Sequence, residues 1–146
     1  TPQTAEADRA FHSAVLALAG CTDRTSPDIA TETAQASRDT PAAARERLVD
    51  PNHRVFFSPA SIWEIEIKVS TGKLPRPHAD VIHAARVQGY QDLPVIAEHA
   101  AAAGQLPLHH RDPFDRLLIA QALHEGLIVA TADPLFASYG VSVLAC

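Results

Sequence analysis

The chain has 146 residues, 47% of them apolar and 20% charged, with a net charge of −5 and a pI near 5.8. That is enough for one domain with its own core, and it excludes wholesale disorder and a pair of ordinary domains. No apolar run reaches the roughly 20 residues that span a bilayer, the acidic start lacks the basic head of a signal peptide, and two cysteines, Cys21 and Cys146, make neither a disulfide framework nor a zinc ribbon. No membrane association and a reducing, cytoplasmic location are expected.

Ala7, Ala10, Phe11, Ala14, Val15 and Leu18 recur at helical spacing and predict a helix stopped by Gly20, with a strand over residues 14–18 as the alternative. Residues 21–39 offer little to bury. Seven of the nine threonines fall in residues 1–40, and denser patterned sequence begins at Pro41. The chain is therefore divided into an atypical segment, 1–40, and a domain, 41–146. Thr40-Pro41 opens a helix to about Val49. Val55-Phe56-Phe57 is a short buried strand. Ser58-Pro59 caps a helix carrying Ile62, Ile65 and Val69 and ending near Gly72. Residues 80–88 form another helix, stopped by Gly89. Leu93-Pro94-Val95-Ile96 is read as an edge strand because of its proline. A helix over 97–103 stops at Gly104. Asp112-Pro113 opens the strongest helix, which Gly126 ends. Leu127-Ile128-Val129-Ala130 is a buried strand, Asp133-Pro134 opens a short helix, and Val141-Ser142-Val143-Leu144 is the last strand. Strands alternating with helices imply an α/β fold with a parallel sheet covered on both faces, and a site at the carboxyl ends of the strands.

Three carboxylates fall near that rim. Glu64 lies in the helix after the first buried strand, Asp115 in the first turn of the helix from Pro113, and Asp133 directly after Leu127-Ala130. Unit charges 4 Å apart repel by about 4 kcal/mol at an effective dielectric near 20, so such a cluster either protonates or holds a cation. Mg²⁺ and Mn²⁺ prefer these hard oxygens. Each acid also has a purely structural reading. Asp133 and Asp112 suit helix N-caps, Asp115 complements a helix dipole, and Glu64 can pair with Lys68 one turn on.

Ser61-Ile62-Trp63-Glu64-Ile65-Glu66-Ile67-Lys68 with Gly72-Lys73-Leu74-Pro75 resembles PIN-domain proteins of the VapC-like toxin group. So do the stretch from Leu106 through His109-His110-Arg111-Asp112-Pro113-Phe114-Asp115-Arg116 to Ala122, then Thr131-Ala132-Asp133-Pro134-Leu135-Phe136, then Tyr139-Gly140-Val141. The likeness runs from about Pro41 to Leu144. It implies a three-layer α/β/α sandwich around a parallel sheet. It implies a Mg²⁺- or Mn²⁺-dependent endoribonuclease that hydrolyses RNA phosphodiesters with metal-activated water. It further implies the toxin of a type II toxin–antitoxin pair, a homodimer and a cognate antitoxin protein. Glu64, Asp115 and Asp133 match the family's metal-binding acids, Asp112 a frequent acidic neighbour, and Thr131 a hydroxyl near the site. The family normally opens with a central strand ending in Asp. No such strand is evident here, so it is missing or replaced, and Asp23 and Asp28 are the candidate substitutes.

Trp63 is read as core, with base stacking as the alternative. His109 and His110 are read as exposed loop residues, with metal ligation or acid catalysis as the alternative. Lys68, Lys73, Arg76, Arg111 and Arg116 could form a local basic patch for RNA, of which Lys68, Arg111 and Arg116 are the chosen contacts. The net negative charge offers nucleic acid no global attraction. The alternative function is a catalytically impaired relative that keeps only antitoxin-binding or self-association surfaces. A divalent-metal phosphatase, or a nuclease of other specificity, is a third reading.

Overall fold

The computed structural model describes residues 18–21, 53–76, 80–131 and 133–145. Its elements are β1 (Leu18–Cys21), β2 (His53–Phe57), α1 (Pro59–Ser70), α2 (Val81–Val87), β3 (Gln91–Asp92), α3 (Ala97–Gln105), α4 (Pro113–Glu125), β4 (Ile128–Thr131), a 3₁₀ helix (Pro134–Tyr139) and β5 (Val143–Ala145). The helix expected over 40–49, most of the one expected over 7–18, and both Asp23 and Asp28 lie outside the described residues.

Local capping chemistry explains most helix starts. Ser58 Oγ accepts the Ala60 N–H (3.1 Å) just before Pro59, and Asp80 Oδ1 accepts the Ile82 and His83 N–H groups (2.9 and 3.2 Å). Asp112 Oδ1 accepts the Phe114 N–H and Asp133 Oδ1 the Leu135 N–H, both at 2.9 Å, each again ahead of a proline. These bonds satisfy N–H groups that have no partner inside the helix. At the other end of α4, Gly126 takes the left-handed conformation (φ 67°) that lets the chain turn into β4.

α3 and the edge strand differ from expectation. α3 continues through Gly104 to Gln105. A helix tolerates one glycine at a cost of about 1 kcal/mol, and here the Arg116 guanidinium binds the carbonyls of Ala103 and Leu106 (2.8 and 2.9 Å) at the helix end. The edge strand is Gln91–Asp92 rather than residues 93–96. Leu93 donates one last bond to the Phe57 carbonyl (2.9 Å), and Pro94 has no N–H to extend the ladder.

The five strands form one sheet in the order β3-β2-β1-β4-β5. β2 pairs with β3, and β4 with β5, in parallel. β1 lies between the two pairs and runs antiparallel to both, with Leu18 opposite Phe56 and Val129. The expectation of an all-parallel sheet is thus corrected to a mixed one. The helix expected to run as far as Gly20 gives way to strand from Leu18, and the central position is filled rather than missing. The direction of β1 has a consequence for the site. β2 and β4 share one carboxyl rim, where α1 begins and Asp133 follows. Cys21, the last residue of β1, pairs with His53, the first of β2, so the carboxyl end of β1 is at the opposite rim.

Alternate strand residues feed different apolar clusters, as a period-2 pleat requires. Phe56, Val129 and Val143 pack with Leu118, Ile119 and Ala122 of α4 and with Phe136. Val55, Ala130 and Leu144 pack together with Ile128 and Tyr90, while Phe57 joins Ile65 of α1 and Ala85 of α2. Among the described residues, no helix is long and apolar enough to cross a membrane.

Candidate metal centre

The site assembles from two helix starts and one strand end. Asp115 is in the first turn of α4, Asp133 follows β4 across one residue, and Glu64 projects from the second turn of α1. Asp115 and Asp133 are 18 positions apart, yet both meet at His110. Its Nε2 is 2.9 Å from Asp133 Oδ2 and 3.0 Å from Asp115 Oδ2. The other ring nitrogen, Nδ1, accepts the Asp112 N–H (3.2 Å). That bond assigns the proton of a neutral ring to Nε2, which therefore donates into the acid pair. The His110 N–H donates to the Tyr139 hydroxyl, and the ring meets Phe136 edge-on at 6.0 Å. His110 is 13% exposed, which corrects its reading as a solvated loop residue; His109 is exposed as expected.

Crowding raises the Asp115 carboxyl from the ordinary 3.8 to about 6. Burial is the main cause and the Asp112 charge adds to it. His110 pulls the other way, and Glu64 and Asp133 push it up further. At Asp133, burial alone would raise the pKa. The Leu135 N–H and His110 outweigh it and hold the carboxyl below its usual range. Two carboxylates on one donor thus sit in environments that push their proton affinities apart.

Glu64 is buried, so the purely solvated reading of it fails, although the expected i,i+4 pair with Lys68 forms at 2.6 Å. It is not part of the tight His110, Asp115 and Asp133 group, whose ligand atoms lie within 4.8 Å of one another, but its charge is felt at Asp115. Asp112 acts as the α4 cap. Thr131 accepts the Asp133 N–H on its hydroxyl (3.1 Å) and so shapes the turn that presents Asp133. Arg116, read as an RNA contact, has its guanidinium on four carbonyls: Ala103, Leu106, Pro107 and His110 (2.8–3.3 Å). Its donors are committed to holding α3 and the following loop against α4. Arg111 is exposed, and Lys68 is 43% exposed beside Glu64. Trp63 is 65% exposed and not core.

The donor set suits a hard divalent cation. Oxygens bound at about 2.1 Å to one octahedral ion lie about 3–4 Å apart, a spacing compatible with the 4.8 Å limit of the Asp115 and Asp133 group. A cation there would also offset the burial and the neighbouring charges that raise Asp115. A second cluster, His99, His124 and Glu125, is of a different kind. His99 is 1% exposed, takes the Ile96 N–H on Nδ1 (3.2 Å) and reaches Glu125 with Nε2 (2.8 Å), so both nitrogens serve to tie the start of α3 to the end of α4.

The molecule is thus an α/β protein that gathers carboxylates at the carboxyl rim of its strands. The PIN domain family model matches residues 30–141, most of the chain, and the chain belongs to the PIN domain family. The match begins ahead of Pro41 and after the end of β1. PIN domains are generally nucleases and typically depend on divalent metal ions. Comparison with curated proteins and with solved structures finds no match.

Proposed function

We propose that the protein is a Mg²⁺- or Mn²⁺-dependent endoribonuclease and the toxin of a cytoplasmic toxin–antitoxin pair, acting as a homodimer held in check by its antitoxin. In this reading helices cover both faces of the sheet as a three-layer sandwich. The observation that carries the proposal is the convergence of Asp115 and Asp133 on the His110 ring, with a raised proton affinity at Asp115 to which the Glu64 charge adds.

Asp115 and Asp133 would hold the cation, with Glu64 completing the acidic wall. When bound, the ion supplies positive charge against a phosphodiester and acidifies the attacking water. His110 orients the two carboxylates through one N–H, and Thr131 and the Leu135 N–H fix the rotamer of Asp133. Lys68 and Arg111 are the cations left to meet RNA phosphates. The surplus of acid makes this local charge matter, because the whole-protein field opposes an RNA backbone.

A second reading, a catalytically impaired PIN protein, is favoured by the direction of β1. Its carboxyl end is at the far rim, so among the described residues the central strand brings no acid to the cluster. Cleavage of a structured RNA pool in Mg²⁺, Mn²⁺ and EDTA tests both. Metal-dependent cleavage that is lost in Asp115→Asn and Asp133→Asn, with folding intact by circular dichroism, supports the nuclease. A folded protein that binds Mn²⁺ and cuts nothing supports the impaired relative.

A further inference from the structure

Trp63 and Phe114 come from different helices and meet edge-to-face, with ring centroids 5.3 Å apart and planes at 77°. Each directly precedes an acid of the site: Trp63 precedes Glu64, and Phe114 precedes Asp115. Helix geometry turns neighbouring residues by about 100°, so each ring leaves its helix beside an acid but turned away from it. An indole left 65% exposed is costly by the measure that drives aromatics inward. Phe114 steadies it without covering it. With a net charge of −5 and acids at its centre, the protein has little electrostatic grip on a phosphate chain. Arg116 and Arg76 add none, since the first binds carbonyls and the second pairs with Glu66 at 3.3 Å. Affinity for a polyanion therefore needs a term that does not depend on charge. Base stacking is such a term, at about 1–3 kcal/mol per base, and it requires an open aromatic face and an unpaired base.

We propose that Trp63, braced by Phe114, is a stacking platform for an unpaired nucleobase next to the scissile phosphate. The exposed Arg111 supplies flanking charge for the sugar–phosphate chain. This proposal rests on the nuclease reading, and its test separates the two.

Trp63 is the single tryptophan of the chain, so its fluorescence reports on the platform directly. The wild type is titrated in EDTA at low salt with a single-stranded RNA hexamer, with the same hexamer in a duplex, and with an abasic hexamer of equal charge. Saturable quenching by the single strand alone is expected. Phe114→Ala should weaken it. Trp63→Ala should weaken binding of a fluorescein-labelled hexamer about 5- to 150-fold, the equivalent of 1–3 kcal/mol, and Trp63→Phe should restore part of the loss. Equal response to abasic and ordinary RNA, or a blue shift that follows protein concentration and marks self-association through Trp63, overturns the platform. Cleavage in Mn²⁺ is scored separately on the wild type. Cleavage without the stacking response refutes the platform alone. The stacking response without cleavage upholds base stacking on Trp63 but overturns its place beside a scissile phosphate, together with the nuclease reading.

Discussion

Asp115→Asn perturbs the most strained charge of the site while keeping its shape. In the native protein this carboxyl titrates at about 6 rather than at 3.8. The native state therefore binds the proton more tightly than the unfolded chain does, and protonation favours folding. The favourable contribution is complete below pH 4 and is lost as pH rises through about 6. At 1.36 kcal/mol per pKa unit, the full penalty at neutral pH is about 3 kcal/mol. The side chain is 19% exposed, so solvent screening reduces the expected figure to on the order of 1–2 kcal/mol. Asn keeps an oxygen to accept from His110 and never ionises. Urea unfolding from pH 4 to pH 8 should find Asp115→Asn more stable than the wild type by that amount at pH 7, with the gap closing toward pH 4. Subtracting the two curves removes titrations common to both. A difference that does not change with pH, or a wild type more stable at pH 7, refutes the reasoning. Added Mn²⁺ should reverse the ranking at pH 7, since an ion that binds only the native site stabilises it by mass action.

Arg116→Ala removes a guanidinium that serves four carbonyls at the junction of α3 and α4. A loss of roughly 2–4 kcal/mol by urea unfolding is expected, with little recovery in Arg116→Lys; unchanged stability with weaker RNA binding would return this residue to the substrate surface. Gly126→Ala should cost about 1–2 kcal/mol, because φ is +67° while a Cβ there would meet nothing within 4 Å, so the penalty is purely conformational. Gly126→Asn should recover part of it, and equal stability of the alanine variant would show that the α4 terminus rearranges.

The helices of the described region were legible because their signals are local. Ser58-Pro59, Asp80, Asp112-Pro113 and Asp133-Pro134 each place an acceptor beside N–H groups the helix cannot satisfy, and that chemistry needs no distant partner. The placement of Asp115 and Asp133 on one side of the sheet was legible for a related reason: they lie at a helix start and a strand end that an α/β fold collects on one rim. Trp63 and His110 were misread because their surroundings are not local. Helical periodicity gives no means of telling that the Trp63 ring meets Phe114 of another helix edge-to-face and stays 65% exposed. Nor does the His109-His110 pair reveal which ring folds back, since that depends on Asp133 and Tyr139, 23 and 29 positions away.

Strand direction belongs with these non-local features. Nothing in the four residues 18–21 sets a direction; the central strand is antiparallel because its pairing runs from Leu18 opposite Phe56 to Cys21 opposite His53, and from Leu18 opposite Val129 to Ala19 opposite Ile128. Sequence by itself determined the α/β class and the helix caps, because each follows from spacing along one segment. Tertiary structure alone decided the mixed sheet, the commitment of Arg116 to carbonyls and the meeting of Asp115 with Asp133 at His110. Those depend on which hydrogen-bond donors and charges are brought together once the backbone has closed.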